Sequence, residues 1–181
     1  MAHSSQGKMT NACYTGLCMV EPAIALFGGA YEKAARVLEE LLRESGARYA
    51  LLIDRKGFVL AHKEALWAPR PPALDSLATL IAGNAAATQA LAKMLGEPRF
   101  NELIHQGASH GLYAEEVGDL ALLAVIFDNT ATVGRIKLYG KRAVQSLAVI
   151  TQDALVQPST LGIDHEYRDG ASALLDELFG N

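Results

Sequence analysis

Cysteine, surplus positive charge, long apolar runs and catalytic signatures are what this chain has least of. Its two cysteines, Cys13 and Cys18, both stand near the N-terminus, outside any patterned region. A disulfide framework is therefore not expected, a reducing compartment is, and the spacing suits neither a zinc knuckle nor a redox CxxC pair. Sixteen basic residues against twenty acidic ones give a net charge of −4. That argues against nucleic acid or an anionic membrane as a general partner, since a basic surplus supplies most of the affinity there. No apolar run is long enough to cross a bilayer, and Met1 to Lys8 lacks the apolar core of a signal peptide. A cytoplasmic protein is the expectation. Half of the residues are hydrophobic and a fifth are charged, which a globular core requires.

What is present is pattern. Residues 1–18 show no periodicity and read as a flexible extension, with Met19 as a natural start. From Tyr31 the apolar positions Ala34, Ala35, Leu38, Leu41 and Leu42 follow helical spacing, and Gly46 supplies a left-handed stop. Tyr49–Ile53 and Phe58–His62 read as a hairpin around the Asp54-Arg55-Lys56-Gly57 turn. Three prolines, Pro69, Pro71 and Pro72, force a loop. Asp75 is placed to cap a second helix running to Gly96. Leu77, Leu80, Ile81, Asn84, Thr88, Leu91 and Leu95 read as its inward stripe, and Ala78, Ala82, Ala86, Gln89 and Lys93 as a second stripe. Three strands follow, Phe100–His105, Leu112–Val117 and Leu120–Phe127, the last apolar almost throughout and so expected at the centre of the sheet. A last core helix begins near Val133, with Ile136, Tyr139, Gly140, Ala143, Val144, Leu147 and Ile150 inward. Residues 157–163 read as a linker, and 164–181 as a short amphipathic helix with Tyr167, Ala171, Leu174, Leu175 and Leu178 on its apolar face. Consecutive strands without helical crossovers predict an α+β fold on an antiparallel sheet, ordered α-β-β-α-β-β-β-α.

No residue set assembles an enzyme signature. None of the five histidines has a ligand-like neighbour, and His105 and His110, flanking one hairpin turn, read as a solvated pair. No serine has the glycines of a nucleophile elbow. Glu115 and Glu116 are adjacent on a strand and point to opposite faces, so they cannot cooperate. Arg55 and Arg70 sit on loop tips, where an arginine can reach into a partner's phosphate site or simply be solvated. The centre of the second helix is unusual for its small side chains, Ala82-Gly83-Asn84-Ala85-Ala86-Ala87, a surface that lets another backbone approach closely. No metal and no cofactor are expected.

The stretch from Tyr31 to Leu155 resembles the Roadblock/LC7 family, in particular its bacterial cell-polarity branch in thermophile form. The residues that carry the likeness are Gly46-Ala47-Arg48-Tyr49-Ala50-Leu51-Leu52-Ile53-Asp54-Arg55-Lys56-Gly57-Phe58, Asp75-Ser76-Leu77-Ala78-Thr79-Leu80-Ile81-Ala82-Gly83-Asn84-Ala85-Ala86-Ala87 and Gly140-Lys141-Arg142-Ala143. The family domain would occupy residues 19–156. The resemblance implies helices on one face of a five-stranded antiparallel sheet, and a homodimer with sheets joined edge to edge and central helices side by side. It also implies a small Ras-like GTPase as partner, bound by two copies, whose hydrolysis is accelerated without an arginine finger. Ala78, Ala82, Ala85, Ala86 and Gln89, with Lys93 at the rim, would form the GTPase platform. Tyr167, Leu174, Leu175 and Leu178 of the tail would touch a second GTPase surface. A Roadblock dimer that recruits partners without affecting hydrolysis is the alternative.

Overall fold

The computed structural model describes residues 24–156. Eight elements follow in the expected order: α1 (Gly28–Ser45), β1 (Tyr49–Asp54), β2 (Val59–Glu64), α2 (Leu74–Met94), β3 (Glu102–Gln106), β4 (His110–Val117), β5 (Ala121–Asp128) and α3 (Val133–Val156). The tail, the linker and the N-terminal extension, with both cysteines, lie outside the described residues.

All strand pairings are antiparallel, and the sheet order is β2-β1-β5-β4-β3. β5 is central, as its unbroken apolar run predicts. The helices do not share one face. α1 and α3 cover one side, burying Leu38, Leu41, Leu42, Ile136 and Leu147 with Ala50, Leu52, Leu123 and Val125 of the sheet. α2 lies alone on the other, over Tyr49, Leu51, Ile53, Leu122 and Ala124. The expectation of helices on one face is thus corrected. The physical reason lies in β1: successive side chains point to opposite faces, and all six of its residues are buried. Leu51, Leu52 and Ile53 are each fully enclosed, and each such burial stabilises by about 1.5–3 kcal/mol. A strand enclosed on both faces loses the alternation of a half-solvated sheet and reads as a continuous apolar run.

Local details also depart from expectation. Tyr31 stays exposed on α1. Asp75 does not cap α2: Ala73 holds the capping position without a side-chain hydrogen bond, and Asp75 falls in the first turn, where its charge complements the helix dipole. On the other side of the sheet α3 crosses β4 closely. A Cβ added at Gly140 would stand 2.6 Å from the Tyr113 ring, so only glycine lets the helix settle over that buried aromatic. The Tyr113 hydroxyl donates to Glu115. Burial, then that carboxylate, pushes its pKa far above the ordinary phenol value.

Candidate functional site

The candidate site is the outward face of α2, defined by how closely this helix lies on the sheet. Ala78, Ile81, Ala82 and Ala92 are buried beneath it, and Ala85 packs against the same cluster. With the methyl groups of Ala78, Ala82 and Ala85 beside Ile81 on its underside, the helix can sit nearer the sheet than a row of leucines would permit. The approach is tightest at the β1–β2 turn. Gly57 has φ 91°, and a Cβ there would come within 2.7 Å of the Thr79 Cα. A side chain at position 57 would both strain the turn and strike the helix backbone.

This geometry corrects the reading of the helix faces. Ala78 and Ala82 were expected to face away from the sheet; they are 0% and 6% exposed and belong to the core. Leu80, Leu91 and Leu95 were expected inward, and all three lie outward, Leu80 at 71% exposed. Of the other expected platform residues, Ala86 and Lys93 are exposed, whereas Ala85 and Gln89 are half-buried. Gly83, Ala87 and Ala90 of the small-residue centre are also exposed, as is Met94, which had no assigned role. A signal was available: Leu80, Ala87 and Met94 recur at seven-residue intervals, the repeat of a helix that packs on another helix.

The outward face has two flanks. At 100° per residue, Leu80, Leu91 and Leu95 fall on the flank shared with Asn84. The Asn84 amide lies 2.7 Å from the His105 ring of β3, so the leucine flank looks toward that sheet edge. Gly83, Ala86, Ala90 and Lys93 fall on the flank shared with Thr79, beside the β1–β2 turn. One helix thus offers a bulky apolar strip toward a free strand edge and a small-residue strip on its opposite side.

The remaining candidates are accounted for locally. Arg55 is held in place, its Nε donating to the Asp119 carbonyl at 2.7 Å and its guanidinium 3.2 Å from Glu116. Glu116 also meets Arg99 at 3.7 Å. Arg70 is exposed in the proline loop. His105 and His110 are both exposed, and the Asn84 amide meets the His105 ring. Among the described residues no three His, Cys, Asp or Glu side chains converge to hold a metal ion, and no helix is long and apolar enough to cross a membrane. Tyr167, Leu174, Leu175 and Leu178 lie outside the described residues.

The architecture defines a class: an α+β sheet domain covered on both faces, with one long helix exposing an apolar surface. The Roadblock/LC7 domain matches residues 33–127, and the chain belongs to that family. A structure described as gliding protein MglB from Thermus thermophilus is 67% identical, with a TM-score of 0.71, over 74% of this chain and 99% of that one. An MglB described as having a tetrameric arrangement is also 67% identical, with a TM-score of 0.72, over 75% of this chain and 99% of its own. Myxococcus xanthus MglB is 33% identical, with a TM-score of 0.63, over 68% and 98% respectively. A comparison with curated proteins gave no match.

Proposed function

We propose that this chain is a homodimeric regulator of the MglB kind in cell polarity, acting in the cytoplasm and at a cell pole. Its partner would be a small Ras-like GTPase of the MglA type, bound by two copies of this chain. The observation that carries the reading is the two-flanked outward face of α2. The leucine flank, next to the β3 edge, supports a dimer in which two α2 helices lie side by side and two β3 strands meet. The small-residue flank around Gly83, Ala86 and Ala90, with Lys93 at its end, then remains available, and two such flanks form one platform for the GTPase.

The protein supplies no active site of its own in this reading, and Arg55, tied to Glu116 and Asp119, is not an arginine finger. Acceleration comes from binding the hydrolysis-competent conformation of the GTPase more tightly than the others. Moving that equilibrium from 1:99 to 99:1 takes about 5.5 kcal/mol of differential affinity, which an interface between proteins can provide.

The test is single-turnover GTP hydrolysis by the Ras-like polarity GTPase of the same organism, with and without a twofold excess of this protein. Acceleration of tenfold or more, a barrier lowered by about 1.4 kcal/mol, is the expected result. Binding at an unchanged rate selects the non-activating scaffold, and absence of binding overturns the choice of partner.

A further inference from the structure

β3 is one rim of the sheet, so one side of its main chain has no strand partner among the described residues. The hairpin that follows shows which groups lie on that side. The Gly107 N–H donates to the His110 carbonyl at 2.8 Å, which makes Gly107 and His110 a hydrogen-bonded pair, and such pairs alternate along an antiparallel ladder. With the register running from Glu102↔Glu115 to Gln106↔Gly111, Leu103 and His105 therefore bond to β4. Glu102, Ile104 and Gln106 turn their N–H and C=O groups outward, to the free rim. Side chains alternate as well: Leu103 packs with the α2 cluster and Ile104 with the cluster under α1 and α3.

A second copy that extends the sheet through β3, with both α2 helices on one face, is related to the first by a two-fold axis perpendicular to the sheet. Residues that share a face must then pair, so the axis passes through a residue of β3 and not between two. An axis at Ile104 sets Glu102 opposite Gln106 of the second copy and Ile104 opposite its own counterpart, so all three outward residues exchange hydrogen bonds. An axis at Leu103 or His105 engages two of the three, and an axis at Glu102 or Gln106 only one. The side chains favour the same solution. Gln106, which is exposed, brings an amide to the Glu102 carboxylate that Lys137 holds at 2.6 Å, and the two Glu102 carboxylates are kept apart. On the α2 face Leu103 meets His105, whose ring lies 2.7 Å from the Asn84 amide.

We infer that two copies of this chain join through β3 in a single register, with Ile104 on the two-fold axis and Glu102 opposite Gln106. The inference rests on the edge-to-edge dimer proposed above and fixes its geometry. Moving the axis by one residue slides one copy along the other by two, about 7 Å. The register therefore sets how far apart the two small-residue flanks stand, and with it the span of surface that a partner must present to both.

The test is disulfide formation between copies of the full chain carrying Cys13→Ser and Cys18→Ser. On the axis, the Cα of Ile104→Cys stands about 5.5 Å from its counterpart, within disulfide reach. Leu103→Cys and His105→Cys are two residues out of step with their own counterparts, about 8 Å away and beyond that reach. The expected result is crosslinking at least tenfold faster for Ile104→Cys than for either neighbour. Leu103→Cys and His105→Cys chains should crosslink readily once co-expressed. Thermal melts by circular dichroism establish that each variant is folded, and co-expressed Glu102→Cys and Gln106→Cys chains report the same register without altering an apolar residue. Fastest self-crosslinking at Leu103→Cys or His105→Cys would overturn the register and leave the β3 seam in place. Absence of crosslinking at all five positions would overturn the seam and the register together.

Discussion

The Arg48 guanidinium donates through Nε to Asp128 Oδ2 at 2.7 Å, tying the residue before β1 to the last residue of β5. The Trp67 ring lies over the same guanidinium, 5.7 Å from its carbon to the ring centroid. The hydroxyl and the backbone N–H of Thr130 donate to the other carboxylate oxygen. Those Thr130 bonds first, and Arg48 after them, outweigh burial and hold Asp128 at about 2, below the ordinary 3.8. A depressed folded-state value means that the stabilisation is complete above the unfolded pKa and is lost as pH falls through about 4 towards about 2.

Asp128→Asn should therefore destabilise the fold at pH 6, by about 2 kcal/mol. The difference from the parent protein should shrink as pH is lowered to 2.5. Urea midpoints of the two proteins across that range give the measurement; a difference that does not change with pH would show that Asp128 is not charged in the folded state.

Ala82 and Ala86 are one turn apart yet should respond oppositely to the same change. Ala82→Leu forces three extra carbons between α2 and β1, and overpacking of this kind costs about 1–3 kcal/mol. Ala86→Leu projects into solvent in the isolated protomer and should stay within about 0.5 kcal/mol. Equal losses in urea denaturation would mean that the helix is rotated from the position described.

Ala86→Arg together with Ala90→Arg places two long cations on the small-residue flank without touching the underside of α2. Affinity for the GTP-loaded GTPase should fall at least a hundredfold, about 2.7 kcal/mol, by fluorescence titration. The mass in solution should be unchanged. Undiminished affinity would move the GTPase to another surface.

Leu80→Glu together with Leu91→Glu charges the other flank. The prediction is dissociation to a protomer of 19.3 kDa, seen by light scattering, with the helical signal in circular dichroism retained. Persistence of a dimer would place the contact between copies elsewhere.

Much of this architecture could be read before the structure. Strand order was legible at its centre because Ala121–Phe127 is apolar without a break, and α1 because charge and hydrophobicity separate cleanly on its two faces. The rotation of α2 was not legible, for a reason specific to that helix. Its leucines are more hydrophobic than its alanines, so hydrophobicity alone puts Leu80 and Leu91 inside. Space decides in part: Leu74, Leu77 and Ile81 do pack toward the sheet, but where Gly57 meets Thr79 the close approach is made by the methyl groups of Ala78 and Ala82. Leu80, Leu91 and Leu95 are therefore left on the outward face.

A five-stranded open sheet has two rims, and covering both faces leaves only the rims free for main-chain pairing. If β3 is used up in a symmetric pair, each copy still carries β2 at its far end. Indefinite stacking of such pairs is the hazard of that arrangement. β2 carries two features that discourage it: an irregularity where its register against Leu52 and Ile53 shifts, and Lys63, drawn toward Glu39 of α1 at 3.4 Å. The two rims are thus unequal in reactivity, and an assembly that grows through β3 has a built-in terminus at β2.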